Sequence, residues 1–477
     1  MEKPMKRLAL ACAKVVGLMV TLVLIVSPVV GGELSDEQLA QIEKVITRIK
    51  DQGHYPGVSV LIDKGGVSIY SAAFGETDME NSLAASVDSA YPIGSITKSF
   101  TALAALQLVA SGQLDLEAPV NQYLHDFTGS AKEVRIWQLL NHTSGIPNYT
   151  SIPIVKDRLK RQKLSREQMV GFFADLPLQF EPGTRFSYTN SGFYLLGLII
   201  EEVSGLSYYQ YLQENVWNPL GMTRTYSGDD EQLIPGRVRG YEYGSEGFSN
   251  ASPWHYLVPF SAGSIISTVA DLARYRHRVF TSDVVGKKVL DLVVKQVPMK
   301  NGSPNPYTLG ALIKSDFHGY QKYSHSGEIY GFFSDHAYYP DEDLTIAILT
   351  NHKGAAPTPV AMERKIARIV IGLPELVAKD VQLPTDELSQ YAGNYYLEPL
   401  QFGPPVYGFV VTDGKLGISF GGVDAGGPVL PLRAQGNDQF VSVLDDEWLF
   451  TFVREGGEIS GFESVARDAT FFATRMQ

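Results

Sequence analysis

The chain has 477 residues, 44% of them apolar and 19% charged, and a formal net charge of −12. This length exceeds what one hydrophobic core organises, so two folded units are expected, and the composition excludes a disordered chain or a polytopic membrane protein. The acidic balance makes nucleic acid a poor partner.

In chain order, Lys3, Lys6, Arg7 and Lys14 precede an apolar run from Val15 to Val26, followed by Ser27, Pro28 and small residues to Gly32. That is the charge, length and exit of a secretory signal peptide over residues 1–32, with Val29 and Gly31, or Val30 and Gly32, before the cut. The run is short for a membrane span. The expectation is an exported protein, periplasmic or extracellular, with retention of the uncleaved leader as the alternative and the one route to membrane association. Glu2 and the four cations carry a net +3, so the chain cut after this segment carries about −15. The single cysteine, Cys12, lies inside the leader. Disulfides, thiolate metal sites and cysteine catalysis are excluded together for the cut chain, which turns attention to hydroxyl nucleophiles. A large core needs no such staples, so export remains compatible.

Ser35 and Gln38 form a capping box ahead of Leu39, Ile42, Ile46 and Ile49 at helical spacing. Val58 to Ile62 and Val67 to Tyr70 flank Asp63-Lys64-Gly65-Gly66 as a hairpin. A buried helix is predicted from Ser95 to near Gly112, with Ile96, Phe100, Leu103, Leu106 and Val109 on a nearly continuous apolar face. Further helices are expected from Ser191 to Val203 and from Thr268, with Asp271 as its capping partner. Two strands joined at Pro340-Asp341-Glu342-Asp343 span Ala337 to Leu349. Helices therefore bracket an antiparallel sheet, an α+β arrangement. After Gly372, prolines 374 and 384 mark a linker over 373–384. From 385 to 477, short alternating stretches at Val406 to Thr412, Leu416 to Phe420, Phe440 to Leu444 and Trp448 to Val453 predict a small β-barrel or sandwich. Asp413-Gly414 and Gly456-Gly457 are its turns.

Three segments carry candidate chemistry. Ser95-Ile96-Thr97-Lys98 places a hydroxyl and an ammonium at i,i+3 on one face of a helix start. Partial desolvation and the positive helix end depress the lysine pKa, making a neutral amine available as base. Such a tetrapeptide occurs roughly once or twice by chance in a chain this long, so its context decides. Phe186-Ser187-Tyr188-Thr189-Asn190 offers a phenol and an amide two residues apart, side chains that share a direction in extended backbone. A tyrosine near a lysine ammonium can share proton transfer while the amide holds a substrate dipole; the motif alone also reads as a buried tyrosine with an asparagine helix cap. His325-Ser326-Gly327-Glu328, followed by Gly331, lets a backbone strand approach a ligand closely, where an N–H can complete an oxyanion hole with that of Ser95; alone it also reads as a glycine bulge beside an incidental histidine.

With these in order, the chain resembles the serine β-lactamase and penicillin-binding protein superfamily, particularly class C β-lactamases, D-aminopeptidases, DD-carboxypeptidases and related esterases. Its Ser-x-x-Lys, Tyr-x-Asn and Lys/His-x-Gly elements appear with steps of 93 and 137 residues. Leu139 to Pro147, Phe180 to Gly183, Pro219 to Met222 and Ser267 to Leu272 match the linking segments, so the resemblance spans about 35 to 370, within a hydrolase domain over 33–372. It implies a β-lactamase-like domain with a helical subdomain. It also implies Ser95 as nucleophile, Lys98 and Tyr188 as the coupled proton-transfer pair, Asn190 as a substrate ligand and His325, Ser326 and Gly327 on the strand opposite. Glu328 contributes its backbone N–H to the oxyanion hole.

The expected function is hydrolysis of an amide or ester through a Ser95 acyl-enzyme, on a small molecule or peptide. One alternative is a β-lactamase or DD-carboxypeptidase acting on cell-wall peptides, and the other is a catalytically silent binding or sensor protein. Class C β-lactamases have lysine at the position of His325, and a mostly neutral histidine suits a β-lactam carboxylate less. Lys64-Gly65-Gly66 and Lys415-Leu416-Gly417 fall in predicted turns out of order and are read as incidental. Lys156, Arg158, Lys160, Arg161 and Lys163 form a basic cluster, read as a solvated helix face or as a flank of the mouth that attracts anions. His142 is read as structural. No spacing of His, Asp or Glu indicates a metal, and no cofactor is expected. The C-terminal unit resembles the lipocalin-like β domain of several family members, with Tyr391 to Tyr396 near its start.

Overall fold

The computed structural model describes residues 33–155, 159–354, 357–398, 406–426, 429–466 and 469–476. The predicted leader, with Cys12, and Lys156 and Arg158 of the basic cluster lie outside these residues. No helix among the described residues is long and apolar enough to cross a membrane.

Helix α1 (Asp36–Gln52) opens with the capping box, Ser35 and Gln38 each bonding the other's backbone N–H, and buries Ile42, Ile46 and Ile49. The hairpin follows as β1 (Gly57–Lys64) and β2 (Val67–Asp78), and a short β3 (Leu83–Ala84) pairs with β2. The rest of the sheet comes from the far side of the helical region: β4 (Ile313–Phe317), β5 (Tyr320–Ile329), β6 (Phe332–Tyr339) and β7 (Leu344–Thr350). The seven strands lie in the order β3-β2-β1-β7-β6-β5-β4. Strand β1 reaches β7 antiparallel, with Val60 opposite Ile348.

Alternation along β1 divides the sheet's two faces. Val58, Val60 and Ile62 pack with Ile42, Ile46 and Ile49 of α1 and with Met362 and Ile366 of helix α5 (Pro359–Ile371). Leu61, pointing the other way, joins the core formed by helix α2 (Thr97–Ala110), helix α3 (Asn190–Ser204) and helix α4 (Val269–Thr281). There Phe100 of α2 stacks on Tyr275 of α4 with ring centroids 3.9 Å apart. Thr268 caps α4 by accepting from the backbone of Asp271, but the Asp271 carboxylate turns to Arg224 N, Thr225 Oγ1 and Arg274 instead of returning the bond.

Beyond α5 the chain runs through 373–384 without helix or strand, Val381 N bonding Ala434 O on the way. It then closes an eight-stranded barrel. The strands are β8 (Gly393–Glu398), β9 (Val406–Thr412), β10 (Lys415–Phe420), β11 (Val429–Gly436), β12 (Gln439–Ser442), β13 (Leu449–Glu455), β14 (Glu458–Ala466) and β15 (Ala469–Arg475). Each pairs with its neighbours in chain order, and β15 closes on β8. Closure removes the exposed edges that a sandwich would leave. Tyr395, Phe409, Phe450, Phe452 and Phe462 fill the interior in mostly edge-to-face contacts. Charged side chains join barrel and sheet unit: Lys365 and Arg368 of α5 pair with Asp446 and Glu447, and His318 also reaches Glu447.

Candidate active site

Ser95 lies in a 3-10 turn, Gly94–Ile96, and α2 begins two residues later than the spacing predicts, at Thr97. The turn is held from three sides. Ile93 N donates to Ile265 O, Ile265 N donates to Thr97 Oγ1, and Ser334 Oγ donates to Ile93 O at 2.8 Å. Two glycines let this turn touch strand β5. Gly94 has φ +52, and a Cβ there would lie 2.7 Å from Glu328 N; a Cβ on Gly327 would lie 1.9 Å from Ile93 O. Side chains at either position would force Ser95 and strand apart.

Lys98 is fully buried, with Nζ 3.0 Å from Ser95 Oγ and donating to Ala262 O at 2.7 Å. Burial holds its pKa well below the usual lysine range. The acceptor carbonyl sits on a locked turn, Phe260–Ala262: Ser261 Oγ donates to Phe193 O, and Thr101 Oγ1 donates to Ser261 O. Gly197 of α3 admits this turn, since a Cβ there would meet Ser261 Oγ at 2.2 Å.

The Tyr188 ring faces Lys98, its centroid 4.9 Å from Nζ. His142 positions it. The His142 carbonyl accepts from Ser187 N, its Nδ1 accepts from Thr189 N at 3.3 Å, and its ring packs on Tyr188 at 4.2 Å. Burial first, then the neighbouring Lys98 and His325, lower its pKa well below the usual value. Asn190 begins α3 behind the cap Thr189, with Nδ2 donating to Thr150 Oγ1 and its backbone N to Asn148 Oδ1.

On β5, His325 is buried, with Nε2 2.8 Å from Tyr307 Oη and Nδ1 donating to Ser326 O at 2.5 Å. The Ser326 carbonyl fixes a proton on Nδ1, and the Tyr307 hydroxyl can meet Nε2 as donor or acceptor. Tyr307 is held well above the usual tyrosine pKa by burial and then by Tyr188, so it keeps its proton. Glu328 Oε1 pairs with Lys353 Nζ at 2.8 Å.

These groups line one cleft of about 870 Å³, which includes Ser95, Tyr188, Asn190, His325, Ser326 and Glu328. Lys98 and Gly327 lie directly behind it through the contacts above. The structure therefore brings the sequence-predicted residues together. Tyr307, Ala262, Asn148, Thr150 and Lys353 were not singled out, because none sits in a recognisable motif. Lys160 of the basic cluster is in a turn, not on a helix face, and lies over the Tyr330 ring at 4.1 Å beside the cleft. Lys64 pairs with Glu342 and Lys415 opens β10, both outside the cleft. Among the described residues no group of three or more His, Cys, Asp or Glu is placed to hold a metal ion.

The profile of the Beta-lactamase family matches residues 42–371, more than two thirds of the chain. The protein belongs to this family. Penicillin-binding protein 4* of Bacillus subtilis is 28% identical over 369 residues, covering 71% of this chain and 79% of that protein. Protein flp of Staphylococcus aureus is 29% identical over 325 residues, and the chain spans 64% of its length. Among solved structures, the octameric penicillin-binding protein homologue from Pyrococcus abyssi aligns with a TM-score of 0.64 at 25% identity, over 91% of this chain and 100% of that one. The D-stereospecific amidohydrolase from Streptomyces aligns at 0.60 and 25%, over 69% and 97%. The fold is that of the β-lactamase-like enzymes, and the family's members are serine hydrolases.

Proposed function

We propose that the protein is an exported serine hydrolase of the peptidase or esterase type that cleaves amides or esters through an acyl-enzyme on Ser95. The observation that carries this reading is the buried Lys98, 3.0 Å from Ser95 Oγ and bonded to the Ala262 carbonyl. In its neutral form the amine keeps one N–H on that carbonyl and turns its lone pair to the Ser95 hydroxyl. It then takes the proton as Ser95 Oγ attacks the substrate carbonyl. The new oxyanion falls between the N–H groups of Ser95 and Glu328, which Gly94 and Gly327 bring together. Lys98 and Tyr188 return the proton to the leaving nitrogen or oxygen, and water deacylates Ser95 by the same route in reverse.

A histidine at 325, where class C β-lactamases carry the fixed cation of a lysine, favours this reading over a β-lactamase, whose substrates end in a carboxylate. The D-stereospecific amidohydrolase from Streptomyces supports amide chemistry on D-configured substrates. Export rests on the charge and length of residues 1–32.

A fluorophosphonate probe is expected to label wild type and not Ser95→Ala. Hydrolysis of nitrocefin, D-alanyl peptides and p-nitrophenyl esters, measured side by side, then assigns the substrate class. Equal labelling and turnover in Ser95→Ala sinks the proposal, and stoichiometric acylation without turnover points to a binding or sensor protein instead.

A further inference from the structure

The proposed oxyanion hole needs two N–H groups held at one spacing, and a buried side chain behind the cleft bonds to both of the segments that carry them. Ser334 is 1% exposed on β6, opposite Gly327 in the register of β5 and β6. Its Oγ lies 2.8 Å from Ile93 O and 3.1 Å from Gly327 O. Both neighbours are acceptors, so the single hydroxyl proton is shared between them. The hydroxyl fits there because Gly327 has no side chain: a Cβ would lie 2.5 Å from Ser334 Oγ.

Each carbonyl governs one donor. Ile93 O also accepts from Ile96 N across the 3-10 turn, so the hydroxyl anchors the turn that presents the Ser95 N–H. Gly327 O and the Glu328 N–H are the two ends of one planar peptide unit. A bond to that carbonyl fixes the plane of the unit, and with it the direction of the Glu328 N–H. It also polarises the unit, since hydrogen bonds in series strengthen one another in a low-dielectric interior. One hydroxyl therefore acts on the distance between turn and strand and on the donor strength of the strand's N–H.

We infer that Ser334 is a positioning residue for the oxyanion hole, holding the Ser95 and Glu328 N–H groups in register and polarising the second. This inference rests on the Ser95 acyl-enzyme reading.

The test compares wild type with Ser334→Ala and Ser334→Cys on a p-nitrophenyl ester and on its thionoester, in which sulfur replaces the carbonyl oxygen. Sulfur is a weak acceptor, so the hole stabilises its developing charge less. Outright loss of an oxyanion donor costs about 10²–10³ in kcat, and Ser334→Ala keeps the donor but loosens it, so roughly tenfold in kcat on the ester is expected, with little change in KM. The thionoester should lose much less, so the ester-to-thionoester ratio falls, and the pH profile should keep its midpoint because Lys98 is untouched. Ser334→Cys, a weak donor of similar shape, should behave as Ser334→Ala does. Thermal unfolding checks that each variant is folded, and Ser419→Ala, which removes a buried hydroxyl from the Gly422 carbonyl in the barrel, is the control for a lost buried bond. An unchanged kcat in the folded variants overturns the inference, as does an equal loss on both substrates or a shifted pH midpoint. Ser95→Ala run on the same pair separates the two levels: hydrolysis that survives it removes the acyl-enzyme reading itself, whereas Ser95-dependent hydrolysis indifferent to Ser334 removes only the role of Ser334.

Discussion

Gly327→Ala tests whether catalysis depends on the contact between the nucleophile turn and strand β5. The added methyl would sit 1.9 Å from Ile93 O and 2.5 Å from Ser334 Oγ, where real contacts essentially never fall below 3.0 Å. Turn and strand must part by about 1 Å, a misplacement that costs on the order of 10²-fold when reacting groups are no longer aligned. Separating the Ser95 and Glu328 N–H groups adds the loss of an oxyanion donor, about 10²–10³ in kcat. The same overpacking destabilises the fold by about 1–3 kcal/mol, small enough to leave a folded protein. The assay is steady-state hydrolysis of a p-nitrophenyl ester with the rate of fluorophosphonate labelling, and thermal unfolding confirms folding. Gly171→Ala is the control, because a Cβ there meets nothing within 4 Å. A folded Gly327→Ala with wild-type kcat/KM and labelling rate would refute the reasoning.

Four further outcomes are expected. Burial lowers the Lys98 pKa, so between its folded value and the ordinary 10.5 the unfolded chain binds more protons and stability rises with pH. Lys98→Met removes this cost and should stabilise the fold by about 1–2 kcal/mol at neutral pH while abolishing labelling, read by denaturant melts at several pH values. In wild type the same group makes kcat/KM rise with pH through the folded lysine pKa, and a profile flat on its acid side would count against Lys98 as base. His142→Leu deletes the acceptor for Thr189 N–H and should lower kcat and shift the pH profile; His142→Asn, which restores an acceptor oxygen, should recover part of both. Glu447→Ala leaves Arg368, only 9% exposed, without its carboxylate and should cost about 3–5 kcal/mol, splitting barrel and sheet-unit unfolding into two calorimetric transitions.

Much of the fold was legible because local rules and tertiary packing agree. The Ser35–Gln38 box, the Asp63–Gly66 turn and the Pro340–Asp343 turn each read as their element formed, and Ile42, Ile46 and Ile49 are buried as their spacing implies. Strands β8, β11, β14 and β15 were missed, since their alternation is weak and only barrel closure gives them partners. Ser95 read as a helix start because its apolar neighbours do continue into α2. The left-handed Gly94 and the Ile265 and Ser334 bonds pull it out into a tighter turn.

By itself, the sequence determined which chemistry-bearing residues the chain owns and in what order they come, because motif spacing is a local property. Only the tertiary structure decided their states. Lys98 is buried and its pKa lowered because the Phe260–Ala262 turn and α3 enclose it, and nothing in Ser-x-x-Lys foretells that burial. His142 holds the tyrosine segment from 45 residues away, and Tyr307 fixes the ring of His325 from 18. Such contacts join residues distant in the chain, and the free energy that selects them comes from burying both partners together.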